Sequence, residues 1–315
     1  MKRLAIFAHW DQYNVIENYV VYYLKNLKDI TEKIIFVSDC DLPASEIDKI
    51  KDYADVSICK KHGEYDFGSY KRGFQYAREK NLLEDVDEVI FANDSCYAPM
   101  FPFEIMFKKM DAQTVDYWGA SKNYFGIKHG EEHPLETNEP HIQSYFLVFK
   151  KDVFTSDCFN NFIDSIKKEN DKTDVIINYE LGITRTLNNS GFRGSAYSPD
   201  YPLIHNSSIV LWDRLIKDGH PFIKTSVLRY KNSEVVFPFL WDCFLKVQTK
   251  YPVKYIKDDL KTNQKKIPVS RYGEILKLIR RQVIKIHFSN KRACVKGLWR
   301  DFEGNSLGFY ERDTK

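Results

Sequence analysis

Short apolar runs alternate with stretches of helical periodicity along the first hundred residues of this chain. Four runs rich in β-branched and other apolar residues predict strands at residues 4–8, 33–38, 56–59 and 89–92. Between them, apolar residues recur at helical spacing and predict helices at residues 15–27, 43–53 and 68–80. This alternation indicates an α/β fold with a mostly parallel central sheet and helices on both faces.

The regular alternation becomes looser after residue 94. A helix is predicted at residues 103–110, strands at 117–120 and 144–149, and a long polar loop at 122–141. Two more helices are predicted near residues 153–168 and 174–188, and residues 209–251 are helical and aromatic in pattern. We therefore expect a main α/β domain over residues 1–230 and a helical, basic extension over residues 231–315.

Composition allows a sizeable core and gives little sign of a membrane-spanning or secreted protein. Of 315 residues, 43% are hydrophobic, and the six cysteines are dispersed without C-x-x-C spacing, which favours reduced thiols over a zinc or disulfide framework. The apolar stretch near the N-terminus ends at His9 and is too short for a signal peptide. No run reaches the roughly 20 apolar residues of a membrane span. We expect a cytoplasmic protein, soluble or peripheral to the membrane.

Positive charge is concentrated near the C-terminus. Residues 270–300 contain nine lysines and arginines against a single acid, Glu274, in a chain whose net charge is only +3. Between residues 275 and 288 basic and apolar residues interleave, a pattern typical of a helix lying on an anionic membrane surface. A helix packed on the main domain with a solvated basic face explains the pattern equally well. Nucleic acid ranks last as a partner, because no binding motif is present.

Candidate chemistry is concentrated at the predicted ends of strands. The apolar run at residues 89–92 ends in Asn93, Asp94 and Ser95, and the first strand ends at His9 and Asp11. Ligands of such folds bind at the carboxyl ends of parallel strands, which share one edge of the sheet. One carboxylate with neutral oxygen donors suits a divalent cation or a ribose. Taken alone, however, Asn93–Ser95 also reads as an ordinary turn.

A glycine-rich segment, residues 63–73, comes between the third strand and its helix. Gly68 and Ser69 are expected to open that helix, whose free N–H groups favour anions. Asp66 can accept hydrogen bonds from a ribose or base, and Lys71 or Arg72 can bind phosphate. The alternatives are that Asp66 caps the helix and that the two basic side chains are solvated.

Two later polar residues complete the candidate set. Gln143 lies where a long loop leads into a strand, a position that is often functional, although it can equally be a strand-edge residue. Glu180 lies in the first half of a helix that Gly191 ends. A carboxylate there serves either to stabilise the helix dipole or to act as a general base.

The order of these segments resembles the GT-A fold of nucleotide-sugar glycosyltransferases and, more specifically, the bacterial rhamnan-synthesis family of rhamnosyltransferases. The resemblance runs from about residue 4 to residue 230. It is carried by residues 65–71 (YDFGSYK), 93–95 (NDS), 116–119 (DYWG), 143–146 (QSYF), 179–184 (YELGIT) and 212–224, which end in GHPFIK.

The resemblance implies a transferase that uses dTDP-L-rhamnose as donor and a lipid-linked glycan as acceptor. One carboxylate base without a second positioned nucleophile favours a single displacement, which inverts the configuration at the sugar. The resemblance implies that Asp94 replaces the metal-binding acidic motif, that Glu180 is the catalytic base and that His205 is a later ligand of metal or diphosphate. It also implies a divalent cation, Mg²⁺ or Mn²⁺. The family's D-x-D pair is here Asn93-Asp94-Ser95, with one carboxylate, so Lys71 or Arg72 can substitute for the metal.

Two rival functions remain compatible with the same residues. One is a capsule-type sugar-phosphate transferase, which also needs acids, a metal and basic side chains. The other is a non-catalytic protein that keeps the fold and binds a nucleotide sugar or a glycan.

Overall fold

A seven-stranded sheet forms the centre of the computed structural model, which describes residues 1–124, 140–201, 206–229 and 241–263. All of these residues belong to one unit, Met1–Ile267. In chain order the strands are β1 (Arg3–His9), β2 (Lys33–Ser38), β3 (Val56–Cys59), β4 (Glu88–Asn93), β5 (Cys96–Tyr97), β6 (Tyr117–Gly119), β7 (Lys122–Asn123), β8 (His141–Ile142), β9 (Phe146–Lys150), β10 (Gly194–Ala196) and β11 (Ile223–Lys224).

Helices follow most of these strands. They are α1 (Asn18–Lys28), α2 (Ala44–Ile47, continued by a 3₁₀ turn at Asp48–Ile50), α3 (Tyr65–Glu79), α4 (Phe103–Asp111), α5 (Lys151–Phe154), α6 (Asp157–Ser165), α7 (Lys172–Val175), α8 (Gly182–Asn189), α9 (Ser207–Val210), α10 (Trp212–Lys217), α11 (Thr225–Arg229), α12 (Trp241–Gln248) and α13 (Val253–Asn263). A π-helical segment, Ile176–Leu181, joins α7 to α8.

The central sheet is mostly parallel, as the alternation of elements predicts. Its strand order is β10–β6–β9–β4–β1–β2–β3, and only β9 runs antiparallel to its two neighbours. Strands β1 to β4 therefore end at one shared edge, which we call the carboxyl edge. Two small antiparallel pairs, β5 with β11 and β7 with β8, flank the sheet. The expected α/β architecture, a mostly parallel central sheet with helices on both faces, is confirmed.

Strand β1 contributes to two separate hydrophobic cores, one on each face of the sheet. Ala5 and Phe7 pack with α1, α4 and α13, whereas Leu4, Ile6 and Ala8 pack with α3, α6 and α8. Successive side chains of a strand point to opposite faces, so a strand buried on both faces must be apolar at every position. The continuous apolar runs of the sequence have this origin.

Gly73 allows helix α3 to pack directly against the sheet. A Cβ atom on Gly73 would lie 2.4 Å from Cγ2 of Ile6 and 3.1 Å from Cγ2 of Val37. Any larger side chain at this position would push α3 away from the sheet, because the core has no space to absorb it. Gly73 thus sets the distance at which the start of α3, including Asp66, lies from the carboxyl edge.

Several predicted elements have different bounds in the structure. Helix α3 begins at Tyr65, so Gly68 does not open it, and the Gly68 N–H already donates to the carbonyl of Glu64 at 3.1 Å. The helix predicted over residues 153–168 is split into α5 and α6, since the Ser156 hydroxyl caps α6 by accepting from the Phe159 N–H. The ends of the predicted loop at 122–141 form the β7–β8 pair, and residues 125–139 lie outside the described residues.

The C-terminal helices that the structure describes are α12 and α13, and α13 packs against α1. The proposed basic extension beyond residue 263 lies outside the described residues. In the described part of the chain, no helix has the length and apolar character needed to cross a membrane.

Candidate active site at the carboxyl edge of the sheet

Asp94 lies directly after β4, next to the end of β1. The Trp10 N–H donates to Oδ2 of Asp94 at 2.8 Å, and the Asp94 N–H donates to the Ala8 carbonyl at 3.2 Å. The other carboxylate oxygen of Asp94 accepts no hydrogen bond from the described residues. The side chain is 18% exposed, so that oxygen is available to a ligand entering from the edge of the sheet.

The environment of Asp94 favours its protonated form. Burial raises the pKa of Asp94 to about 7, although the bond from the Trp10 N–H opposes this increase. The charge of Arg229 also lowers the pKa, whereas the negative charges of Asp11 and Asp66 raise it further. Asp94 consequently changes its charge near neutral pH, and a cation or a hydrogen-bond donor brought by a ligand would favour the carboxylate.

His9 lies beside Asp94 but carries no charge. Its Nε2 is 3.9 Å from Oδ2 of Asp94, and its Nδ1 is 2.9 Å from the hydroxyl of Ser38. The side chain is 1% exposed, and burial lowers the pKa of His9 to about 3. A neutral imidazole does not attract a diphosphate by charge, so His9 contributes packing and hydrogen bonding to this edge.

Asn93, the residue before Asp94, binds Asp66 through its side chain. The side-chain amide of Asn93 donates to Oδ2 of Asp66 at 3.0 Å, and its carbonyl oxygen accepts from the N–H of Ser95 at 3.1 Å. Burial raises the pKa of Asp66, and the nearby negative charge of Glu180 raises it further. The structure therefore brings together Asp66, Asn93 and Asp94, which the sequence separates into two segments.

Glu180 extends this acidic cluster from the π-helical segment. Its Oε1 lies 3.2 Å from Nε2 of His141, and its Oε2 accepts from the hydroxyl of Ser144 at 2.6 Å. Burial alone would raise the pKa of Glu180, but the bond and charge of His141, the charge of Lys224 and the Ser144 bond together lower it to about 2. Glu180 is thus a fixed, ionised carboxylate at neutral pH.

Gln143 and Asp11 support this cluster from within the protein. The side-chain carbonyl of Gln143 accepts from the hydroxyls of Ser121 and Ser208, each at 2.8 Å, and the residue is only 1% exposed. Oδ1 of Asp11 accepts from the N–H groups of Tyr13 and Val15 at 2.7 and 3.3 Å. Gln143 holds the chain that leads to Ser144, and Asp11 shapes the loop after β1.

Lys71 and Arg72 do not join the cluster. Nζ of Lys71 donates to the carbonyls of Asp164 and Ile166 at 3.0 and 2.6 Å. Arg72 donates to both carboxylate oxygens of Glu64 at 2.8 and 3.0 Å. Both positions follow the first turn of α3, which begins three residues earlier than predicted, and both side chains already have partners elsewhere.

The described residues do not form a metal-binding set by themselves. In residues 1–124, 140–201, 206–229 and 241–263 there is no group of three or more His, Cys, Asp or Glu side chains arranged around a common metal position. Asp94 offers one carboxylate, with the neutral His9 ring at 3.9 Å. His205, the other predicted metal ligand, lies outside the described residues.

Exposed aromatic side chains surround this edge. Trp10 and Tyr13, in the loop after β1, are 60% and 55% exposed, and Tyr65 at the start of α3 is 41% exposed. Tyr65 adopts a left-handed backbone conformation with φ of 58°, which is uncommon for a bulky residue. Exposed aromatic faces of this kind can stack on nucleobases or on sugar rings.

Three side chains that the fold brings to this edge, His141, Ser144 and Lys224, were not among the candidate residues predicted from the sequence. His141 and Ser144, which bind Glu180, flank Gln143 in the sequence, but nothing local indicates that they contact a residue so far along the chain. Lys224 ends the GHPFIK segment, and only the pairing of β11 with β5 brings it to this edge. A run of polar residues before a buried strand was the available signal for His141 and Ser144.

A family model described as Rhamnan synthesis protein F matches residues 34–296 of this chain. The virulence protein VirA of Vibrio anguillarum is 28% identical over 207 residues, which are 56% of this chain and 62% of VirA. The uncharacterized protein y4gN of Sinorhizobium fredii is 25% identical over 169 residues, 53% of this chain and 41% of y4gN. The matches therefore span less than two thirds of each of these curated relatives.

Solved structures resemble the chain only distantly. The mannosyltransferase Ktr4p of S. cerevisiae has a TM-score of 0.35 at 12% identity, covering 53% of this chain and 60% of that one. S. aureus TarS 1-349 has a TM-score of 0.39 at 11% identity, covering 69% and 64%. A 4-diphosphocytidyl-2C-methyl-D-erythritol synthase has a TM-score of 0.40 at 10% identity, covering 65% and 92%. Such TM-scores support no argument about ligands or activity.

Proposed function

Because this chain belongs to the Rhamnan synthesis protein F family, we propose that it is a glycosyltransferase that moves a sugar from a nucleotide sugar to a glycan acceptor. The family is named for the synthesis of rhamnan, a polysaccharide of rhamnose, and this supports L-rhamnose as the transferred sugar. In this proposal dTDP-L-rhamnose is the donor, and a lipid-linked glycan or growing cell-surface polysaccharide is the acceptor.

The observation that carries this proposal is the acidic cluster at the carboxyl edge of the sheet. Asn93, the residue before Asp94, donates to Asp66, and the negative charge of Asp66 raises the pKa of Asp94. The ionised Glu180 is in turn close enough to raise the pKa of Asp66. In open α/β sheets, ligands bind outside the carboxyl ends of the strands. A set of carboxylates there, surrounded by exposed aromatic side chains, suits a ligand with both a base and sugar hydroxyls.

The proposed reaction is a single displacement at the anomeric carbon of the sugar. An acceptor hydroxyl forms the new C–O bond as the bond between the sugar and the diphosphate breaks, and the electron pair leaves with the diphosphate. Glu180 takes the proton of the acceptor hydroxyl. Its two hydrogen-bonded oxygens fix its position, and the hydroxyl must replace the His141 contact for Glu180 to act as a base.

Asp94 and Asp66 take the donor-binding roles in this proposal. The unbonded oxygen of Asp94 and the carboxylate of Asp66 are acceptors for ribose or sugar hydroxyls, which are donors. Binding hydroxyl groups to Asp94 also lowers its pKa, because hydrogen bonds to the charged form stabilise that form. Inversion follows if one displacement occurs without a covalent enzyme intermediate.

A panel of nucleotide sugars tests the proposal directly. The purified protein should bind dTDP-L-rhamnose and transfer rhamnose to a rhamnose-containing glycan acceptor, and other nucleotide sugars should react more slowly. NMR of the product should show a glycosidic linkage of inverted configuration. The assay should be run with added Mg²⁺, with added Mn²⁺ and with a chelator.

The same products separate the two rival functions. A phosphodiester linkage instead of a glycoside would make the protein a sugar-phosphate transferase. Tight binding of a nucleotide sugar or glycan without turnover in any combination would make it a binding protein. Turnover with a different nucleotide sugar only would keep the glycosyltransferase and replace the donor.

The acceptor also bears on where the protein acts. A lipid-linked glycan is held at the membrane surface, and the basic segment at residues 270–300 supports peripheral attachment to an anionic leaflet on the cytoplasmic side. We therefore propose a peripheral membrane location in which the basic segment at residues 270–300 is the attached part, whereas helices α12 and α13 belong to the same unit as the catalytic residues.

A further inference from the structure

We propose that Lys224 binds the diphosphate of the donor and stabilises the negative charge that develops on it as the sugar leaves. This inference rests on the proposed glycosyl transfer and deepens it by assigning the cation at the leaving group. Lys224 thereby takes the role that the sequence suggested for Lys71 or Arg72.

The pairing of β11 with β5 brings Lys224 to the acidic cluster. Lys224 lies opposite Cys96 in this antiparallel pair, and Cys96 is two residues after Asp94. The N–H of Thr225 donates to the carbonyl of Ser95 at 2.8 Å, which extends the pairing toward the end of β4. The backbone of Lys224 is therefore held beside the turn that carries Asp94.

The side chain of Lys224 is directed along this edge by an aromatic ring. Its Nζ lies 5.1 Å from the centroid of the Tyr145 ring. Tyr145 is itself fixed, because its hydroxyl is 2.7 Å from that of Ser121 and its carbonyl accepts from the N–H of Asn93 at 3.2 Å. A cation over an aromatic face is attracted to it but keeps its hydrogen-bond donors free.

The charge of Lys224 reaches the carboxylate that we propose as the base. Burial alone would raise the pKa of Glu180, and the charge of Lys224 is among those that lower it. Lys224 is half-buried, so water screens its charge less than that of an exposed lysine. A diphosphate between Asp94 and Glu180 would meet repulsion from both carboxylates, and a nearby ammonium offsets that repulsion.

Lys224 also differs from Lys71, Arg72 and Arg229 in being available. Among the residues that the structure describes, no carboxylate or carbonyl oxygen accepts a hydrogen bond from its Nζ. Lys71 donates to two carbonyls and Arg72 to the carboxylate of Glu64. Arg229, whose charge also affects Asp94, forms an ion pair with the buried Asp259.

In the reaction, Lys224 acts only as a hydrogen-bond donor and a positive charge. The acceptor oxygen bonds to the anomeric carbon, its proton passes to Glu180, and the bond between that carbon and the diphosphate oxygen breaks. The electron pair of the broken bond stays on the diphosphate, where the ammonium of Lys224 donates to it. Charge stabilisation of this kind contributes to catalysis because the negative charge grows toward the transition state.

Three variants test this assignment: Lys224→Met, Lys224→Arg and the matched control Lys217→Met. Lys217 also has its Nζ over an aromatic ring, 5.8 Å from the centroid of Phe244, but lies on α10 and is exposed. Lys224→Met should lower kcat/KM for dTDP-L-rhamnose roughly 10²–10³-fold. Lys224→Arg should recover much of this loss, and Lys217→Met should match the wild type.

Binding of nucleotides separates a role at the diphosphate from a general effect on the fold. Lys224→Met should weaken binding of dTDP, measured by calorimetry, and leave binding of thymidine unchanged. Equally weakened binding of dTDP and thymidine, or dTDP affinity and kcat/KM within twofold of the wild type, would overturn the assignment.

If the wild type neither binds nor turns over any nucleotide sugar, the proposed function fails. If it turns over one and Lys224→Met does so equally well, only Lys224 is misassigned.

Discussion

At the scale of single residues, burial favours the protonated form of both Asp94 and Glu180, but the pKa values of the two groups shift in opposite directions. Glu180 has His141, Ser144 and the charge of Lys224 to offset its desolvation, so its pKa is lowered to about 2. Asp94 receives only the Trp10 N–H and the more distant charge of Arg229, and its pKa is raised to about 7. The charged form of Asp94 therefore lowers the stability of the folded protein.

The stability of the protein should therefore depend on the charge of Asp94. Its pKa is about 7 in the folded protein and near the usual 3.8 in the unfolded chain. The folded state binds the proton more tightly, so stability falls as the pH rises from about 4 to about 7. Each unit of difference corresponds to about 1.4 kcal/mol, which makes the expected loss on the order of a few kcal/mol.

Asp94→Asn removes this cost and should also remove activity. In urea unfolding at pH 8, we expect the free energy of unfolding of the variant to be at least that of the wild type. The difference between the two proteins should be smaller at pH 5. Turnover by the variant should fall to background. Asp164→Asn is a control that should change the stability in the opposite direction. Hydrogen bonding to Arg78 lowers the pKa of this exposed carboxyl. Turnover by the Asp94→Asn protein would show that Asp94 is not required for activity. Lower stability than the wild type at pH 8 would give Asp94 a structural role.

Glu180→Gln tests the base. The amide keeps the size and one acceptor oxygen but cannot take a proton, so kcat should fall roughly 10²–10⁴-fold while dTDP binding is retained. Measuring kcat and the dissociation constant of dTDP in the same preparation distinguishes the roles. Loss of dTDP binding with the loss of kcat would make Glu180 a donor-binding or structural residue.

At the scale of elements, a buried polar network links helices α1, α11 and α13 to the turn that carries Asp94. Asp259 on α13 is fully buried and accepts from Arg229 on α11 and from the hydroxyl of Tyr97. Nη2 of Arg229 donates to the hydroxyl of Tyr19 on α1 at 3.3 Å, and this hydroxyl donates to the carbonyl of Asp94 at 2.9 Å. The three helices thereby hold the backbone of Asp94 in place.

Removing the Tyr19 hydroxyl should weaken both the fold and catalysis. Tyr19→Phe loses the bond to the Asp94 carbonyl and is expected to lower the free energy of unfolding by about 1–2 kcal/mol. It should also lower kcat/KM, because the turn that carries Asp94 is less well fixed. Urea unfolding and steady-state kinetics measure the two effects.

Tyr23→Phe provides the matched control on the same helix. Tyr23 is also buried, but its hydroxyl has no hydrogen-bond partner among the described residues. Its removal should leave stability and activity unchanged or slightly increase stability, because it relieves an unpaired buried group. If both variants behave alike, the Tyr19 contact does not position Asp94.

At the scale of the whole molecule, the proposed acceptor requires the enzyme to work at a membrane surface. Residues 270–300 carry nine basic residues and one acid. Each basic residue near an anionic surface contributes about 1 kcal/mol to attachment at low salt. This segment lies outside the described residues, so membrane binding stays a prediction from charge and pattern.

Liposome co-sedimentation tests this attachment. The full chain should sediment with vesicles that contain anionic phospholipid, and binding should weaken as salt is added. A chain ending at residue 269 should stay in the supernatant and still turn over a water-soluble acceptor. Binding to neutral vesicles, or sedimentation of the shortened chain, would leave the basic segment as a packing element.

The local sequence pattern predicted which segments form the parallel part of the sheet and at which edge the candidate site lies. The strand at 33–38 was predicted at the observed bounds, and β1 and β4 were predicted within one residue of them, because strands buried on both faces need continuous apolar runs. Parallel strands share a carboxyl edge, so the closeness of Asp66, Asn93 and Asp94 also followed from the sequence.

Only the tertiary structure decided which side chains complete that site. The start of α3 at Tyr65 gave Lys71 and Arg72 other partners, and the antiparallel insertion of β9 brought Ser144 to Glu180. The pairing of β5 with β11 brought Lys224 to the same edge. Local periodicity records which face of an element is buried, but it carries no information about which distant element packs against that face. Contacts between residues far apart in the chain depend on the packing of the whole fold.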